Sequence, residues 1–157
     1  MLLNEKEIDY YMECIEEFMN LEEYRSMSEF IQHGKVSCLE HSLSVAYYSY
    51  LISKKFHINV DARSLIRGAA LHDFFLYDWH IKEGRKGWHG FRHPKIAYEN
   101  AIKYFDINDI EKDIILKHMW PLTIKIPRCK EAFIVTFVDK MCSLAETFRI
   151  YPSLISP

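Results

Sequence analysis

His72 and Asp73 stand side by side in the stretch from Gly68 to His80, which begins as a helix with small residues on one side. If Asp61 caps that helix, Leu65, Ala69 and His72 share one stripe, and Ile66, Ala70 and Asp73 share the next. Both polar groups then continue apolar stripes and point inward. A buried carboxylate beside a buried imidazole needs a partner, because an unpaired charge in a core is costly. Two further helices carry groups of the same kind. His41 falls on a stripe with Val45, Tyr48 and Ile52, and Asp139 lies beside Val135, Val138 and Cys142. His93 opens a helix just before Pro94, and His118 closes another. Imidazole and carboxylate together suit divalent transition ions: neutral His donates a ring nitrogen and Asp offsets charge. Fe, Mn, Zn, Co and Ni are not distinguished by such a set. The alternative is a helical bundle holding several hydrogen-bonded core histidines. Against it, no Lys or Arg shares these stripes.

The elements that must position these groups are helices. Asn4 with Glu7 forms a capping box that opens a helix over 4–19, with Ile8, Tyr11, Met12, Ile15, Phe18 and Met19 inward. A second helix is expected over 21–31, and Gln32-His33-Gly34 breaks it. The third, over 39–56, is apolar around most of its circumference, which marks a central helix. Ser42, Ser49 and Ser53 give it a narrow strip suited to close packing. The helix over 61–73 follows. Gly84, Gly87 and Gly90 make 79–92 a loop. The next helix starts at His93, with Pro94 at its first position. Asn108 caps another, 119–130 is a second loop with Pro121 and Pro127, and a long helix covers 131–148. The expected fold is all-α, about seven helices in one domain across 1–157, with no convincing strand.

Composition narrows the function. The chain has 157 residues, 49% of them apolar, which fits a packed core and excludes disorder. A net charge of −2 argues against a nucleic-acid binder. No apolar run approaches a membrane span. Cys14, Cys38, Cys129 and Cys142 form no CxxC pair and no signal peptide precedes them, so reduced thiols in a cytoplasm are expected. The charges are unevenly placed. The two loops hold seven basic residues (Lys82, Arg85, Lys86, Arg92, Lys125, Arg128 and Lys130) against Glu83, a net of +6, while the remainder, with 13 basic and 21 acidic residues, carries −8. A basic rim on an acidic protein suits a small anionic substrate, and Arg and Lys clamp phosphoryl oxygens in such sites.

The order His41, then His72-Asp73, then Asp139 resembles the H…HD…D signature of the HD-domain superfamily of metal-dependent phosphohydrolases. The likeness spans residues 33–142: LEHSLSVA resembles the family's first metal-ligand helix, ALHD its second and FIVTFVDKM its last. The resemblance implies an HD-like helical bundle with a metal held by His41, His72, Asp73 and Asp139. His93 in RHPKIAYENA and His118 in LKHMWP fall where two-metal members, including the HD-GYP phosphodiesterases, carry further histidines. By that analogy Asp73 bridges two ions, the second held by His93 and His118. The chain departs from HD-GYP proteins in having Leu76 where they carry Lys, and in lacking the GYP tripeptide. The implied reaction is hydrolysis of a phosphate ester, of a nucleotide or another small phosphorylated metabolite, by metal-activated water. Asp73 could take up the proton, and the loop cations would bind phosphate. Asp78, His89 and Lys140 are candidates for leaving-group work or for supporting the ligands, and His33 is a candidate to reach the site. Two alternatives stand beside it: a di-iron oxygenase, since superfamily members with the same count of four His and two Asp oxidise their substrate with O₂, and a non-catalytic domain, metal-bound or metal-free, that senses a nucleotide. A homo-oligomer is compatible with all three.

Overall fold

A computed structural model describes residues 2–80, 89–148 and 150, with His89 by its backbone alone. Among them the fold is all-α, with seven helices and one small hairpin. Helix α1 (Glu5–Met19) is opened by the expected Asn4–Glu7 capping box. It buries Tyr11, Cys14, Ile15 and Phe18, an i, i+3, i+4, i+7 stripe. Ile8 and Met12, expected inward, flank this stripe and are exposed.

The helix expected over 21–31 is short. Helix α2 (Glu22–Arg25) gives way to a 3₁₀ turn (Ser26–Glu29), and the chain then forms an antiparallel hairpin, β1 (Ile31–His33) with β2 (Val36–Ser37). Two serines, with Phe30 and Ile31 after them, weaken the helix. Gly34 turns the hairpin at φ +60°, a conformation glycine adopts without steric cost. A Cβ there would sit 2.7 Å from the Glu146 carbonyl oxygen, so the turn is pressed against the last long helix.

Helix α3 (Cys38–Lys55), capped by Ser37 and Glu40, is central as expected and packs on helices α4 (Ala62–Leu71) and α7 (Lys130–Thr147). Its Ser42, Ser49 and Ser53 are buried. Asp61 caps α4 by accepting from the Ser64 N–H, but α4 ends at Leu71 rather than at Asp73. His72 is its C-cap, and Asp73 lies in the turn beyond. Gly68 brings α4 against helix α6 (Asp109–Lys117): a Cβ on it would lie 2.6 Å from Ile114 Cδ1 and 3.2 Å from Glu111 Cα. Helix α5 (His89–Tyr104) starts before the expected His93, and Pro94 sits inside its first turns. Pro94 is the sixth residue of α5, so the N–H it lacks leaves the Gly90 carbonyl without its i+4 donor.

Behind the turn that follows α4 lies an aromatic cluster. Phe18 packs against Tyr24 and Phe105, and Tyr24 packs against Phe74. The Tyr24 hydroxyl donates to the Ala70 carbonyl (2.8 Å), and Asn100 Nδ2 donates to the Phe74 carbonyl (2.8 Å). Buried Arg67 pairs with Glu111 and Glu17, and its guanidinium covers the Phe18 ring at 5.0 Å. These contacts clamp both flanks of the His72-Asp73 turn. The four cysteines are free thiols.

Candidate metal centre

Two histidines are placed by helix ends. A helix leaves its last carbonyls without intrahelical donors. His72 at the end of α4 donates Nδ1–H to the Ala69 carbonyl (2.7 Å), and His118 at the end of α6 donates Nδ1–H to the Ile115 carbonyl (2.9 Å). The same i to i−3 contact assigns the same tautomer to both rings and turns Nε2, with its lone pair, inward. His41, on α3, reaches this arrangement through a side chain. Its Nδ1 lies 2.9 and 3.1 Å from the carboxylate oxygens of Glu146, which is buried on α7. A carboxylate that orients a ligand imidazole in this way is the common support behind metal-binding histidines.

The inward atoms converge. Asp139 Oδ1 lies 3.1 Å from His41 Nε2 and 3.7 Å from His72 Nε2. Asp73 stands between two groups of rings: Oδ2 is 3.4 Å from His72 Nε2 and 3.7 Å from His41 Nε2, while Oδ1 is 3.1 Å from His93 Nε2 and 3.5 Å from His118 Nε2. His93 and His118 bring their Nε2 atoms within 2.7 Å of each other. All six side chains are buried. Two triads, His41–His72–Asp139 and His72–Asp73–His118, offer donor atoms that lie within 4.8 Å of one another.

This donor set fits a cation. His72 Nε2 and Asp73 Oδ1 are buried with no hydrogen bond, an arrangement a native core rarely tolerates unless something else binds there. The charges agree. Burial pushes His41 down, but hydrogen bonds to Asp139 and Glu146 outweigh it and hold His41 up to about 10. Burial also opposes ionisation of Asp73 and Asp139, yet the surrounding imidazoles hold both well below the usual carboxylate range. The site thus asks for positive charge, which protons on His41 and His72 or a metal can supply. His118 is different: burial, then the charges of His72 and His93, push it down to about 3, so it stays a neutral donor.

Two contributors escaped the sequence reading. Gln32, buried on β1, donates Nε2–H to Asp73 Oδ2 (2.5 Å) and accepts from Cys38 Sγ (3.2 Å). Nothing in its local pattern marks it. Glu146 had a legible signal, since it lies seven residues after Asp139 on the same buried face of α7.

A cleft of about 190 Å³ opens over the cluster, lined by Gln32, His33, Asp73, Trp79, Gly90, His93, His118, Met119, Asp139, Lys140 and Ser143. His33 therefore reaches the site, its ring packed edge-on to His41. Lys140 does too, donating to the His118 and Thr136 carbonyls (2.9 and 3.3 Å). Among the described residues it is the one basic side chain, histidines aside, in that lining. Arg92 is exposed on the first turn of α5, and Arg128 is exposed with its backbone N–H on Asp113. Lys125 lines a separate groove beside Phe91, Leu122 and Ile124. Asp78 accepts from the His80 backbone N–H and is not in the cleft lining. Lys82, Arg85, Lys86 and the His89 side chain fall outside the described residues.

Helices that end on inward imidazoles, with buried aspartates between them under an open cleft, form a cluster that could hold a metal ion. Residues 38–144, well over half the chain, match the family model of the HD domain, and the chain belongs to that family. HD domains are in general metal-dependent hydrolases. The match is to the HD domain at large and does not single out the HD-GYP type. No curated protein and no solved structure matches the chain. No described helix is long and apolar enough to cross a membrane.

Proposed function

We propose that the protein is a phosphohydrolase with a two-ion centre, acting on a phosphate ester of a nucleotide or another small phosphorylated metabolite. The observation that carries this reading is the position of Asp73, with one oxygen facing His41 and His72 and the other facing His93 and His118. In it, His41, His72 and Asp139 hold one divalent ion, His93 and His118 hold the second, and Asp73 serves both. Divalent ions in such a site acidify a bound water and polarise the phosphoryl oxygens under attack.

The rest is done by the chain. Backbone carbonyls of Ala69 and Ile115 fix the His72 and His118 tautomers, so neither ring must reorient to bind. Lys140 spends two N–H groups on carbonyls and keeps one for an anionic oxygen in the cleft. His33 is held neutral by burial and by the charge of His41, and it offers a proton acceptor at the cleft. Ser143 donates to Asp139 Oδ1 (3.3 Å) and steadies that carboxylate.

The test is metal analysis of the purified protein, followed by phosphate-release assays on a phosphate-ester panel with each metal found. Two ions per chain and metal-dependent phosphate release are expected. His118→Ala should retain one ion and lose most activity, and Asp73→Ala should lose both ions. One ion per wild-type chain, full metal content in Asp73→Ala, or O₂ consumption in place of phosphate release would each overturn the reading.

A further inference from the structure

The inner face of α7 carries Asp139 and Glu146, while its outer face is apolar. Phe133, Phe137, Met141, Leu144 and Phe148 follow one another at spacings of four, four, three and four residues, the path of a single stripe on a helix. They are 44, 60, 53, 57 and 67% exposed among the described residues. Between Lys130 and the end of the helix, no fully exposed position bears a charge. A solvated helix face is ordinarily charged, so this one is built to be covered.

We infer that a second copy of this chain covers it, through an antiparallel pairing of the two α7 helices about a twofold axis. The stripe matches itself when reversed. Met141 at its centre meets the partner's Met141, Phe137 meets the partner's Leu144, and Phe133 meets the partner's Phe148. A twofold interface needs this self-complementarity. The charges fit the same arrangement. Lys130, exposed at the start of the stripe, comes beside the partner helix's C-terminus, where the helix dipole is negative. The size fits as well. With a whole aromatic side chain burying about 150–250 Å², the five residues expose on the order of 500 Å². The Trp120 ring packs 6.0 Å from Phe133 and widens the patch, towards the roughly 800 Å² that a standard interface takes from each partner.

Light scattering on the full chain tests this. Each chain weighs 18.8 kDa, and a mass of twice that is expected at micromolar concentration. The double variant Phe137→Glu, Met141→Glu should weigh one chain at the same concentration, with unchanged far-ultraviolet circular dichroism and a dimer dissociation constant raised at least about a hundredfold. Should that variant lose its helicity, cross-linking decides instead. In a Cys129→Ala background, Met141→Cys should form an intermolecular disulfide on mild oxidation. Phe56→Cys, which is exposed but lies off the stripe, should not. A monomeric wild type, a folded double variant that stays dimeric, or a dimer that fails to cross-link at Met141 would overturn the inference. A monomer whose stripe binds its own C-terminal segment or another protein would do so as well.

Discussion

At the residue scale, the centre depends on how each imidazole is held from behind. His72 and His118 are held by backbone carbonyls, which no substitution removes, whereas His41 is held by the Glu146 side chain. Glu146 is thus a positioning residue that mutation can isolate. Glu146→Gln keeps a hydrogen-bond acceptor but removes the charge. Chelator-competition titration should show metal affinity falling 10–100-fold, the usual effect of removing a carboxylate behind a ligand histidine. The metal-free protein loses the buried His41–Glu146 pair too, so its melting temperature should fall, and the affinities are compared where both proteins are folded. Unchanged affinity would mean that His41 is not a ligand, or that its orientation is set by packing alone.

At the element scale, two contacts brace the helices that carry the ligands. Gly34 holds a positive φ and presses its turn on the Glu146 carbonyl. Gly34→Ala adds left-handed strain and a clash with backbone, and urea denaturation should show a loss of about 1–3 kcal/mol. The second contact is Asp113 on α6, which accepts the backbone N–H groups of Arg128 and Cys129 and pairs with Lys117, tying α6 to the segment that enters α7. Burial raises the Asp113 pKa, but the hydrogen bonds to Lys117, Arg128 and Cys129 outweigh it and leave it below the ordinary value. A carboxylate depressed in the folded state stabilises above its unfolded pKa of about 4 and loses that contribution as pH falls through the folded value. Asp113→Ala should therefore cost about 1 kcal/mol near neutrality, and the gap from wild type should narrow as the pH falls below the unfolded pKa and through the lower folded one. A gap that persists in acid would assign the loss to packing instead.

At the scale of the whole molecule, the proposed ligands come from α3, the turn after α4, α5, the end of α6 and α7, so the two proposed ions together would cross-link most of the bundle. Binding to the folded state alone stabilises it by about 2.7 kcal/mol at a hundredfold excess of free ion over Kd. Chelation should lower the melting temperature by several degrees, restored by readdition of metal. The His118→Ala protein should show a smaller shift, since it keeps the simpler half of the centre. Melting that is indifferent to chelator in the wild type would argue against a metal held by these elements.

The helices, the all-α class and the inward placement of His41, His72, Asp73 and Asp139 were legible because periodicity and caps are local: Asn4, Asp61 and Asn108 each cap the helix they announce. The resemblance to HD domains was legible for a related reason, since ligands at helix ends leave a fixed order in the chain. The tertiary structure decided the rest. A helical pattern through Leu71 does not show that the helix stops there, and stopping is what lets His72 reach back to Ala69 while Asp73 turns towards His93. Nor does any local signal reveal that Gln32, in the middle of β1, lies against Asp73, because that contact spans 41 residues and arises only when the hairpin folds over α3. The same holds for the basic residues. Charge counted along the chain placed Lys125 and Arg128 with the substrate, but side chains from neighbouring loop positions point in different directions. Lys140, held on α7 by the Thr136 and His118 carbonyls, lies a helical turn from Ser143, and both side chains line the cleft.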